Sequence, residues 1–290
     1  MWSTREWHNT GHYHTINDHR IFCVDTGPSA QETVLLIHGF PTSSWDWVKI
    51  WEPLSGHYRL IAMDMLGFGF SDKPDPHPYS IHEQADIIEG LITQLDLKKF
   101  HVLAHDYGDT VAQELLARQN AGTGIGDWMS VCFLNGGLFP ETHQALFIQK
   151  LLLSPLGSLV NKLTTRYRFD ASMARVFGPE SQPMTQDLDG FWELVNYNKG
   201  RHIFHNLISY MKDRKTHRER WVTALKEAAM PLGLINGSVD PVSGAHMITH
   251  YKNIIGRPDF LAELPFIGHY PQVEAPDAVI TYYLEFLDSL

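Results

Sequence analysis

Cysteine is scarce in this 290-residue chain: there are two, Cys23 and Cys132. They lie far apart, each inside an apolar strand-like segment, so two reduced, buried thiols are expected and no disulfide framework. No uninterrupted apolar run approaches the roughly 18 residues that a spanning helix needs. The opening MWSTREWHNT has no apolar stretch of the secretory type. Together these absences point to a cytoplasmic protein with no transmembrane segment. A basic excess is missing too. With 33 acidic against 23 basic residues the net charge is −10, which argues against a nucleic-acid partner. GFGFSD at 67–72 lacks both the G-x-G-x-x-G spacing and the lysine of a phosphate loop, so it reads as a turn. His12 and His14 share a strand face, but no carboxylate or cysteine accompanies them in the local motif. No metal and no organic cofactor is implied.

What remains is an ordinary globular composition, 43% hydrophobic and 19% charged, on a chain long enough for one large domain or a domain with an insertion. Residues 7–39 read as strands: HYHTI and RIFCVDTG as an antiparallel pair, then TVLLIHG as a buried central strand. SSWDWVKIWEPLS has helical spacing with Ser43 or Ser44 as cap. RLIAMDM is a strand, SIHEQADIIEGLITQL a helix opened by Ser80, FHVLAHD a strand, DTVAQELLARQ a helix and SVCFLNGG a strand. From about Phe139 to Ala224 the text is helical and aromatic. The alternation then resumes with PLGLINGSVD, a helix near 243–255, DFLAELPFIGH and a closing helix. Such alternation predicts an α/β fold with a mostly parallel sheet flanked by helices. Residues 1–138 and 225–290 would form that core. The block 139–224 reads as an inserted helical cap over the ligand-binding edge of the sheet.

The chemistry sits at strand ends. AHDYG, between a strand and a helix, has the small-X-nucleophile-X-small form of a nucleophile elbow, a turn so sharp that only small flanking residues fit. Ala104 and Gly108 flank Asp106 where a serine hydrolase carries serine. An aspartate there also suits helix capping, although Asp109 and Thr110 are available for that. Asp240 follows the strand GLIN, and His269 lies in FIGHYPQ past the last strand, so nucleophile, acid and histidine arrive in the order this fold requires. HGFP at 38–41 follows the third strand. With the residue after the nucleophile, it assigns the oxyanion amides to Phe40 and Tyr107.

HGFPTSSWDW, GFGFSDKP, HDYGDTVAQELL, NGGLFPETH and HYPQVEAP together resemble the epoxide hydrolase and haloalkane dehalogenase branch of the α/β-hydrolases, and within it the mesoderm-specific transcript family. The resemblance spans nearly the whole chain. It implies an eight-stranded sheet, an aspartate nucleophile and the triad Asp106–His269–Asp240.

A carboxylate attacks a saturated carbon bearing a leaving group, forming an alkyl ester of Asp106 that His269-activated water then hydrolyses. Epoxide opening also needs an acid for the ring oxygen, and the resemblance implies cap tyrosines. Tyr210 lies where the family places one of its pair, and Tyr167 and Tyr197 are candidates for the second. His38 and Trp192 are further candidates for contact with substrate. Dehalogenation would need halide donors, and Phe40 replaces the asparagine that the dehalogenases commonly carry. Fluoroacetate dehalogenases want arginines beside the nucleophile, where this chain has His105 and Asp109. Epoxide hydrolysis of a small apolar substrate to a vicinal diol is therefore the leading expectation. A haloalkane dehalogenase and a non-catalytic binding protein on the same fold are the alternatives.

Overall fold

The computed structural model describes residues 2–27 and 31–290. Eight strands, β1 (His12–Ile16), β2 (His19–Asp25), β3 (Thr33–Ile37), β4 (Arg59–Met63), β5 (Lys99–His105), β6 (Asp127–Leu134), β7 (Leu232–Gly237) and β8 (Phe260–Leu264), make one sheet in the order β1-β2-β4-β3-β5-β6-β7-β8. β1 pairs antiparallel with β2, and β2 with β4; every other pairing is parallel. The β1–β2 hairpin turns on Asn17 and Asp18, both at positive φ (49° and 65°), which these two residue types tolerate. β3 and β7 are buried at every position, as strands covered on both faces must be, and this is why TVLLI reads as an apolar run. Cys23 and Cys132 are buried free thiols.

The helices follow the sequence periodicity, with two short additions, Thr4–Thr10 and Pro271–Glu274. Ser80 caps the helix Ile81–Gln94, its hydroxyl accepting from the Glu83 N–H. Ser43 caps the short 3-10 turn Ser44–Trp47 that leads into Val48–Ser55. Residues Thr4–Thr10, however, form a helix, so the strand expected from residue 7 begins only at His12. The signal was available: Ser3 and Glu6 make a reciprocal capping box. Fully buried Trp7 then fixes this helix by packing edge-on to Trp51 at 4.8 Å.

Between β6 and β7 the described chain holds helices and no strand. This segment lies over the C-terminal ends of the parallel strands: Val176 O accepts from the His269 amide, and the Phe204 ring meets Phe40 at 5.5 Å. Its last helix, Arg218–Lys226, instead lies along the helix Tyr107–Asn120. Among the described residues no helix is long and apolar enough to cross a membrane.

Candidate active site

β5 ends at His105, and the chain turns through Asp106 (φ 48°, ψ −104°) directly into the helix Tyr107–Asn120. A non-glycine residue held there is strained, and such strain persists only where the surroundings fix it. Gly108 permits the turn, since a Cβ at that position would lie 2.4 Å from the Ile37 carbonyl oxygen. The Asp106 carboxylate makes no capping bond to its own helix. Its Oδ2 accepts instead from the Phe40 N–H at 3.1 Å. The Tyr107 amide, at the first helical position, has no intrahelical acceptor. Asp106 is 3% exposed. Burial alone would raise its pKa, but the charges of His269 and Arg214 outweigh burial and hold it well below the usual carboxylate range.

His269 lies beyond β8. Its Nδ1 faces Asp240 Oδ2 at 2.8 Å and its Nε2 lies 3.9 Å from Asp106 Oδ1. Asp240 sits just past β7, where Oδ1 accepts from the Val242 N–H (2.7 Å) and Oδ2 from the Ser243 hydroxyl and Asn135 Nδ2 (2.8 and 3.0 Å). These donors leave it ionised: burial works upward, yet the His269 charge and the donors lower it. For His269 burial works downward, but the two carboxylates outweigh it and raise the imidazole well above its usual value. Neighbouring His105 is pushed down to about 3, first by burial and then by the His269 charge, so that it stays neutral.

An apolar cavity of about 230 Å³ opens over Asp106 and His269, walled by Phe40, Leu152, Phe169, Met173, Val176 and Phe204 among others. The sequence-selected contact residues lie elsewhere. His38 is fully buried behind the site, its Nε2 accepting from the Met65 N–H and its Nδ1 bonded to the Gly39 carbonyl. Tyr167 is 82% exposed. Tyr197 is 40% exposed and packs on Phe70 under Lys73, while Trp192 packs on Phe169. None of the four lines the cavity. Their residue types suit a pocket, but their contacts in the fold lie elsewhere. Tyr210 is closer. It is buried between Tyr107 and Phe40, with ring centroids at 4.9 and 6.1 Å, and its hydroxyl has no hydrogen-bond partner.

Two neighbours of Asp106 escaped the sequence reading. Arg214, 2% exposed, donates from Nη2 to the Asp106 carbonyl (3.1 Å) and from Nε to Thr110 Oγ1 (2.7 Å), and Nη2 also lies 3.7 Å from Asp106 Oδ1. Its guanidinium covers the Tyr210 ring at 4.6 Å. The arginine absent from the flanks of Asp106 in sequence thus arrives from 108 residues away. Tyr270 lines the cavity and donates to the Phe40 carbonyl at 3.3 Å, steadying the residue whose amide meets Asp106. Adjacency to His269 was its only sequence signal.

Comparison with known proteins agrees with this architecture. Residues 32–122 match the family described as alpha/beta hydrolase fold. The chain is 42% identical over 293 residues to the mesoderm-specific transcript homolog protein of Bos taurus, covering 98% of this chain and 87% of that one. It is 39% identical to the putative hydrolase LipZ of Mycobacterium tuberculosis over 98% of both chains. Among solved structures it is similar to a haloalkane dehalogenase DbeA loop variant from Bradyrhizobium elkanii (TM-score 0.80, 20% identity, 96% of each chain). It is also similar to the epoxide hydrolase CorEH (TM-score 0.76, 18% identity, 97% of this chain and 99% of that one). The chain belongs to the mesoderm-specific transcript family of α/β-hydrolases.

Proposed function

We propose that this hydrolase opens epoxides of small apolar molecules to vicinal diols through an ester on Asp106. The observation that carries the reading is the carboxylate itself: ionised, held in a strained turn, bonded to the Phe40 amide rather than capping its helix, and 3.9 Å from His269 Nε2.

A carboxylate oxygen of Asp106 attacks a ring carbon, and the C–O bond breaks with its electron pair moving to oxygen. Tyr210 supplies the proton that this oxygen takes up. Burial raises its hydroxyl pKa, which keeps it a neutral donor, and it has no competing acceptor. Alkylation removes the negative charge of Asp106, one of the two that hold the proton on His269. The imidazole pKa then falls, its proton passes to the Tyr210 phenolate, and neutral His269 becomes a base once there is an ester to hydrolyse. Water loses a proton to Nε2 and attacks Cγ of Asp106. The Phe40 and Tyr107 amides hold the resulting oxyanion, a contribution of about 3 kcal/mol for a donor of this kind. Collapse frees the diol and regenerates the carboxylate, beside which His269 keeps the proton it took from water.

The test is the intact mass of His269→Gln after exposure to a panel of epoxides and haloalkanes. Without the base the ester should accumulate as a gain of one whole epoxide mass. A gain of a bare alkyl group would replace this reading with a dehalogenase. A folded variant that takes up neither would favour a binding role.

A further inference from the structure

The segment between β6 and β7 carries an apolar surface that nothing in the fold covers. Phe147 is 78% exposed, and Leu156, Leu159 and Leu163 are each more than half exposed. They belong to the consecutive helices Phe147–Leu152 and Gly157–Leu163 and the turn between them, and the two helices pack on each other. Tyr167, in the next helix Arg166–Ala174, is also exposed. Four of these are among the largest apolar side chains, and leaving them in water forgoes burial worth ~1.5–3 kcal/mol each. Such clustering marks an interaction surface.

Charge identifies the occupant. From residue 142 to 179 the sequence has five basic residues and a single acid, Asp170, in a chain of net charge −10. Asp170 is consumed by Arg166. Lys150, Lys162 and Arg168 are exposed and make no ion pair among the described residues. We infer that this face docks on an anionic lipid surface, the apolar side chains entering the interface and the three cations meeting the headgroups. A second copy of the chain fits less well, since a two-fold contact would set like charges against each other.

The catalytic cavity supports the same occupant. Ile148, Leu151 and Val160 on these two helices line it, and Leu163 both lines it and reaches the surface. An apolar molecule dissolved in the bilayer would pass from patch to cavity without crossing water. Docking itself does not depend on the reaction at Asp106.

Co-sedimentation with phosphatidylcholine vesicles, with and without phosphatidylglycerol, tests it directly. Three cations should favour the anionic vesicles by on the order of a hundredfold, less at high salt. Binding should vanish in F147S/L156S/L159S, whose positions are outside the cavity wall, and weaken sharply in K150E/K162E should the first variant not fold. Wild-type protein left in the supernatant with anionic vesicles would overturn the inference. So would variants that pellet like wild type, or a wild-type dimer in sedimentation velocity that the same substitutions dissolve.

Discussion

Asp106 has to be both buried and charged, and burial of an unpaired carboxylate drives it toward the neutral acid. One turn later, Asp109 shows that outcome. It is fully buried with neither oxygen hydrogen-bonded, and burial followed by the Asp106 charge raises its pKa well above the carboxylate range. The difference between the two is their partners: Phe40 N–H, His269 and Arg214 face Asp106. Removing Arg214 should therefore move Asp106 part of the way toward the neutral acid. In the His269→Gln background, ester formation requires the ionised carboxylate, so rate falls as pH drops through the Asp106 pKa. Adding Arg214→Gln removes a nearby cation, raises that pKa and shifts the acid limb upward by about one unit or more. Arg214→Lys keeps the charge and should recover most of the shift. Single-turnover mass spectrometry across pH reads this out. An unmoved limb with a uniformly lower rate would mean that Arg214 only packs.

At the scale of elements, the helix that follows Asp106 is fastened to its neighbour by Glu114. Its side chain, 2% exposed, accepts from Arg118 Nε (3.0 Å), Arg220 Nε (2.7 Å) and Trp221 Nε1 (2.8 Å), joining Tyr107–Asn120 to Arg218–Lys226. Burial works to raise its pKa, but the Arg220, Trp221 and Arg118 bonds prevail and lower it to about 2. A depressed folded-state value stabilises the protein above the unfolded pKa of ~4.3, and that stability is lost as pH falls toward about 2. The shift corresponds to at most roughly 3 kcal/mol, and to less in practice because Arg220 is partly in solvent. Glu114→Gln should thus lower stability at pH 7 by about 2 kcal/mol, with the gap to wild type closing on acidification. Denaturant midpoints at pH 7 and pH 3 would show it; a gap that stays constant would refute the ionic account.

Across the whole molecule, the sheet was legible because parallel strands covered on both faces must be apolar throughout, and because each of the four site positions, Phe40, Asp106, Asp240 and His269, follows a strand end. The helical segment was legible as helix but not in orientation. Its aromatics carry no periodic mark of which face meets the cavity, so neither the position of Tyr167, Tyr197 and Trp192 outside the cavity wall nor that of Arg214 beside Asp106 is readable from it. Its packing has a global consequence. Phe169, Met173, Phe191 and Trp221 of that segment belong to one continuous buried cluster with the strands and with Trp45 and Trp47. Trp45 meets Phe191 at 5.8 Å, and Gly190 approaches the same indole so closely that a Cβ there would lie 2.4 Å from it. A segment that shares its core with the sheet cannot unfold while leaving that core dry, so both should melt together. Far-ultraviolet circular dichroism and tryptophan fluorescence should trace one coincident transition, with calorimetric and van't Hoff enthalpies equal. An earlier transition that exposes Trp192 and Trp221 while the sheet persists would show instead that the helical segment is a separate folding unit.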